Sequence, residues 1–83
     1  MHFHSNLKTI RNYCQYTQQQ MADILGYTRS KYNSYEQGVE PKLGQVLAIS
    51  RRLGIPLDLL IKIDLSALSQ LKLRELTFKF LNR

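Results

Sequence analysis

Three groups of side chains in this 83-residue sequence have the chemistry to act on another molecule. The first is Arg29, Ser30, Asn33 and Ser34, crowded into one short stretch. An arginine fork can hold guanine O6 and N7 together, an asparagine amide suits adenine, and a hydroxyl suits either base. The same residues equally describe a solvated helix face. The second group is His2, His4 and Cys14, and no further histidine or cysteine exists to complete a metal site. Metal binding is therefore not expected, and His2 and His4 are assigned to a frayed terminus. The third is Tyr13, Tyr16 and Tyr27, which could stack on unpaired bases, although packing is the stronger reading for them. Catalytic equipment is missing: there is no glycine-rich phosphate loop and no cluster of carboxylates. The sequence points to binding, with no enzymatic activity and no cofactor.

Twelve Lys and Arg against six Asp and Glu give a formal charge of +6, which favours a polyanionic partner. Hydrophobic residues make up 43% of the chain, enough for a folded core. No run approaches the roughly 18 apolar residues of a membrane span, and MHFHSNLK lacks the basic start and apolar centre of a signal peptide. One cysteine cannot form an internal disulfide, so a short unstapled chain implies a reducing compartment. The expectation is a cytoplasmic protein with no membrane partner.

Stepping along the chain, helical spacing places Leu7, Ile10, Arg11 and Cys14 on one face of a first helix from about Asn6. Thr17 caps a second helix with Met21, Ala22, Ile24 and Leu25 inward, stopped by Gly26. Thr28 caps a third with Tyr32 and Tyr35 inward, ended by Gly38. A fourth follows Pro41, with Leu43, Val46, Leu47, Ile49 and Leu53 at helical spacing before Gly54, and Pro56 opens a short fifth. No strand with hairpin turn chemistry occurs up to residue 61, so the core domain is all-α.

The run from Thr17 to Gly38 thus gives two short helices joined by a three-residue connection around a glycine, a helix-turn-helix layout. Ala22 is small where the helices come closest, Gly26 can take positive φ, and Thr28 caps the second helix. At this spacing the sequence resembles the phage-repressor-type helix-turn-helix family (Cro/CI-like, or XRE). The resemblance runs from about Leu7 to Leu60 and includes Thr17-Gln18, Glu36-x-Gly38, Pro41-x-Leu43 and Leu53-Gly54-Ile55-Pro56-Leu57-Asp58-x-Leu60. It implies a five-helix repressor-like DNA-binding domain over residues 1–62. Gln15 and Lys42 depart from the family pattern, where a glycine and a Ser or Thr cap are usual, and Gly44 weakens the fourth helix.

The resemblance further implies that the third helix lies in the DNA major groove. Arg29, Ser30, Asn33 and Ser34 then become base contacts. Gln18, at the positive end of the second helix, would hold a phosphate, with Thr17 either joining it or merely capping. Lys31, Gln37 and Lys42 flank that surface as further phosphate contacts or plain surface groups. Arg11 and Glu36 both project from apolar faces, and the resemblance pairs them as a structural ion pair beneath the third helix.

Residues 63–83 carry Leu68, Leu71, Leu73, Leu76, Phe78, Phe80 and Leu81. A helix is the main reading, while alternation at Leu71/Leu73 and Phe78/Phe80 keeps a strand open. This surplus of apolar groups is expected to form the interface of a homodimer on a palindromic operator, the alternative being a sixth helix folded over the monomer. The functional expectation is a sequence-specific regulator of double-stranded DNA, most simply a repressor. Alternatives are an antitoxin whose main partner is a protein toxin, or the controller of a restriction-modification operon.

Overall fold

A computed structural model describes residues 2–81, with side chains through Glu75. Its elements are α1 (Phe3–Tyr13), α2 (Gln18–Leu25), α3 (Arg29–Glu36), α4 (Leu43–Leu53), α5 (Leu57–Lys62), a 3₁₀ turn (Leu65–Ala67) and α6 (Gln70–Leu81). Among the described residues there is no strand, and the fold is all-helical.

Each helix terminus reflects its local residues. Thr17 and Gln20 close a reciprocal capping box at the start of α2, and Thr28 Oγ1 accepts the Lys31 N–H at the start of α3. Gly26 and Gly54 end α2 and α4 in the left-handed conformation, at φ 78° and 66°. Between α1 and α2 the same conformation falls on Gln15, at φ 59°. At the start of α4 the Gln45 side chain accepts the Lys42 N–H at 3.1 Å. The reciprocal bond is missing because an ammonium group has no acceptor.

The core collects Leu7 and Ile10 of α1, Met21 and Ala22 of α2, Tyr32 and Tyr35 of α3, Ile49 and Leu53 of α4, and Leu60 of α5. α2 packs most closely on α3, while α1 contacts α3, α5 and the 3₁₀ turn. That arrangement presents α2 and α3 as one rigid pair on an α1/α4/α5 base.

Three expectations need correction. The terminus is not frayed: α1 begins at Phe3, whose ring is fully buried edge-on to Tyr35 at 6.2 Å. His2 N–H donates to the Ile61 carbonyl at 2.8 Å. Periodicity also overcounts the inner face of α4, since Leu43 is 70% exposed and Leu47 sits at the surface. Burial there needs a neighbour, and among the described residues none covers that side of the helix's first turns. Finally, the strand alternative for residues 70–81 gives way to α6, which folds back against α1 and α4 and buries Leu73 in the monomer's own core. Leu68 packs partly against that core, Leu71 is 67% exposed, and Leu76, Phe78, Phe80 and Leu81 lie outside the described side chains.

Candidate nucleic-acid interface

The outer side of α3 is held in place from beneath. Arg11 Nε donates to Glu36 Oε2 at 2.7 Å, and Nη2 donates to Oε1 at 3.2 Å, a bidentate pair. Arg11 Nη1 also donates to the Tyr16 carbonyl at 3.1 Å, tying the pair to the α1–α2 connection. The side chains are 14% and 3% exposed, so this is an interior interaction rather than a surface one. Burial alone would push the Glu36 carboxyl up; hydrogen bonds from Arg11, Tyr32 and Gln18 outweigh it and hold the group below the ordinary glutamate value. The Glu36 contact correspondingly raises Arg11. Burial pushes the neighbouring Tyr32 phenol up, so it stays a neutral hydroxyl.

Above this base the predicted reading residues divide. Arg29 and Ser30 are exposed in the first turn of α3. Asn33 and Ser34 are half-buried instead of fully outward. Asn33 Oδ1 accepts from Gln18 Nε2 at 2.7 Å, and Ser34 Oγ donates to the Lys31 carbonyl at 2.6 Å. Gln18, Arg29, Ser30 and Asn33 line a single concavity, so α2 and α3 converge on one site. The Gln18 side chain turns toward α3 and reaches Glu36 Oε1 at 3.2 Å. Thr17 and Gln20 satisfy each other's backbone donors, and helix geometry leaves the Gln18 and Gln19 N–H groups without an intrahelical acceptor.

Lys31, Gln37 and Lys42 are exposed. Lys31 Nζ also lies 4.9 Å above the Tyr27 ring, which in turn stands edge-on to Tyr35 at 5.7 Å. Sequence reasoning missed His4: its Nδ1 donates to the Tyr35 carbonyl at 2.7 Å and its Nε2 lies 3.7 Å from Glu40, so α1 grips the end of α3. No local signal marked this, since the burial of Phe3 beside it depends on Tyr35 far along the chain. The Gln18–Asn33 contact was likewise unforeseen, because two polar residues on different helices carry no shared period.

A helix-turn-helix family model matches residues 7–60, the stretch that builds this arrangement. The chain belongs to the helix-turn-helix family of the phage-repressor (XRE) type. Two Bacillus subtilis (strain 168) proteins are similar to it. One is the SPbeta prophage-derived uncharacterized HTH-type transcriptional regulator YonR, 44% identical over 61 residues, covering 72% of this chain and 56% of YonR. The other is the uncharacterized HTH-type transcriptional regulator YqaE, 46% identical over 61 residues, covering 72% of this chain and 53% of YqaE. The matched region thus spans about half the length of these relatives. No solved structure gives a significant match. Among the described residues no helix is long and apolar enough to cross a membrane.

Proposed function

We propose that this helix-turn-helix protein is a sequence-specific regulator of transcription, acting as a repressor in the cytoplasm and reading the major groove of double-stranded DNA with α3. The observation that carries this reading is the concavity in which Arg29, Ser30 and Asn33 meet Gln18 above a bidentate buried ion pair. Arg29 and Lys31 strengthen it. Both cations occupy the first turn of α3, where the helix dipole opposes positive charge by a few tenths of a kcal/mol. Among the described residues the Tyr27 ring partners Lys31 and no group partners Arg29, whose place is accounted for by recognition of a polyanion.

In this reading Arg29 leads the base contacts, with Ser30, Asn33 and Ser34 beside it. The free N–H groups at the start of α2, with Thr17, Gln18, Lys31, Gln37 and Lys42, hold phosphates. Two copies place their α3 helices about 34 Å apart on a palindromic site, and residues 63–83 contribute to the contact between them through the exposed Leu71. The similarity to YonR, a prophage-derived uncharacterized HTH-type transcriptional regulator, supports a phage-type repressor over an antitoxin or a restriction-modification controller.

Gel shifts across salt and sequence test the reading. Affinity for duplex falls steeply with salt as counterions are released. Arg29→Ala loses about 1–3 kcal/mol on the preferred site and relaxes one base position. An equal loss on every sequence makes Arg29 a phosphate contact, and no preference for duplex at any salt ends the DNA reading. Leu71→Glu in the full chain, followed by sedimentation, tests the dimer; truncation at residue 64 would instead remove Leu65 and Leu73 from the core.

A further inference from the structure

The amides at the centre of this interface have fixed directions, and the directions have a consequence for base choice. Glu36 is an ionised carboxylate held by Arg11, so its oxygens only accept. The Gln18 atom 3.2 Å from Glu36 Oε1 is therefore the Nε2 donor, since the reversed amide would set oxygen against carboxylate. The second hydrogen of the same Nε2 points at Asn33, 2.7 Å away, and the facing atom has to be the acceptor Oδ1. Order passes outward from the buried pair: Arg11 fixes Glu36, Glu36 fixes Gln18, and Gln18 fixes Asn33. Among the described residues neither Gln18 Oε1 nor Asn33 Nδ2 has a hydrogen-bond partner, and both residues line the concavity with Arg29 and Ser30.

We propose that Gln18 is a positioning residue that makes Asn33 a donor-first reader of the major groove, excluding cytosine at the base it faces. The proposal rests on the DNA-binding reading above. An amide whose oxygen is turned onto Gln18 Nε2 has its unpartnered NH₂ group left to offer, even though the oxygen keeps a second lone pair. In the major groove adenine N7, guanine N7 and O6, and thymine O4 accept, whereas cytosine presents its N4 amino donor. Donor facing donor at a desolvated contact leaves both unsatisfied. The residue type alone assigns Asn33 to adenine; the hydrogen-bond order makes it reject one base rather than select one.

Selection of bound duplexes from a random pool, with the full chain and with Gln18→Ala, reads this one position at a time. In the unaltered protein cytosine is depleted about tenfold at one position, and Gln18→Ala releases the Asn33 amide so that cytosine returns there alone. Asn33→Asp keeps an acceptor toward Gln18 Nε2, puts an acceptor where the donor stood, and shifts that position toward cytosine. Cytosine that stays depleted at that position in Gln18→Ala overturns the proposal, whatever affinity the chain loses equally on all sequences through a phosphate contact of Gln18. The amide order is also readable without DNA, because Gln18→Ala shifts the Asn33 side-chain amide resonances of the free protein. Unmoved Asn33 resonances overturn it as well. If those resonances respond but the unaltered chain enriches no sequence, the DNA-binding reading and the base preference fail together while the amide order stands.

Discussion

Gly26 and Gln15 hold the same left-handed backbone at the two ends of α2, at φ 78° and 59°, yet only one of them is a glycine. A similar contrast separates Thr28, whose hydroxyl caps α3, from Lys42, which starts α4 with no acceptor to offer. The α2–α3 turn has Gly26 and Thr28 where its geometry asks for them, while the joints on either side each hold one residue that does not fit, Gln15 and Lys42, beside others that do, Thr17 and Gly38 at φ 110°. Local fit is therefore concentrated where two helices must keep a fixed mutual angle, and the connections to the supporting helices tolerate strain because core packing on both sides holds them.

The sharpest way to break this contrast is to attack the support of the central unit. Arg11→Ala leaves the Glu36 carboxylate buried without its main partner and costs about 3 kcal/mol, read by denaturant unfolding. Replacing both residues by well-packed apolar side chains costs less, and a double-mutant cycle shows the coupling. The same pair sets an acid limit. The folded Glu36 carboxyl lies below its ordinary value, so its contribution is complete above about pH 4.3 and is lost as pH falls through the lower folded value. Glu36→Gln flattens that acid drop. Some slope remains from Asp64, whose carboxyl is held low by the Ser66 hydroxyl.

Smaller effects come from exchanging the joints. A Cβ at Gly26 meets only Arg52 Nη2, at an ordinary 3.9 Å, so Gly26→Ala is governed by backbone conformation. Left-handed strain of about 1–2 kcal/mol, offset by about 0.5–1 kcal/mol of glycine's extra entropy loss, leaves a net loss of about 0.5–1 kcal/mol. Gln15→Gly reverses both signs and raises the melting temperature by a few degrees. If Gln15→Gly destabilises, the joint is not strained and the contrast collapses. Smallest is Lys42→Ser, which supplies the missing cap and adds about 0.5–1 kcal/mol of stability. On the proposed DNA-binding function that variant also loses a phosphate contact, so its DNA affinity falls while its melting temperature rises.

The helix-turn-helix could be read from the sequence because its signals are local: Thr17, Gly26 and Thr28 each state a backbone geometry within a few residues of themselves. The start of α1 was not legible, since His2 has no capping side chain and Phe3 is one apolar residue among polar neighbours. Its burial comes from Tyr35, far along the chain. Leu43 and Leu47 failed in the opposite direction, because period identifies a face and says nothing about what covers it. The expected reading residues were chosen by type and spacing, and Arg29, Ser30 and Asn33 fall together in one concavity with Gln18. Their hydrogen-bond directions were not, because these depend on contacts between helices that only the folded arrangement supplies.

Asn6 is fully buried, and it donates through Nδ2 to the Leu60 and Ile63 carbonyls at 2.7 Å each while its Oδ1 accepts the Leu65 N–H at 3.0 Å. Its acceptor and donor partners stand as far as 59 residues away in the chain. During synthesis Asn6 therefore emerges long before any group able to satisfy it, and its amide keeps water as its partner until the segment near residue 65 has cleared the ribosome. Domains that assemble from neighbouring contacts can close progressively behind the growing end. Here the first helix meets the third once residue 36 is made, yet its closure onto the segment after the fifth comes last, so a stalled or shortened chain leaves the Asn6 amide without its protein partners.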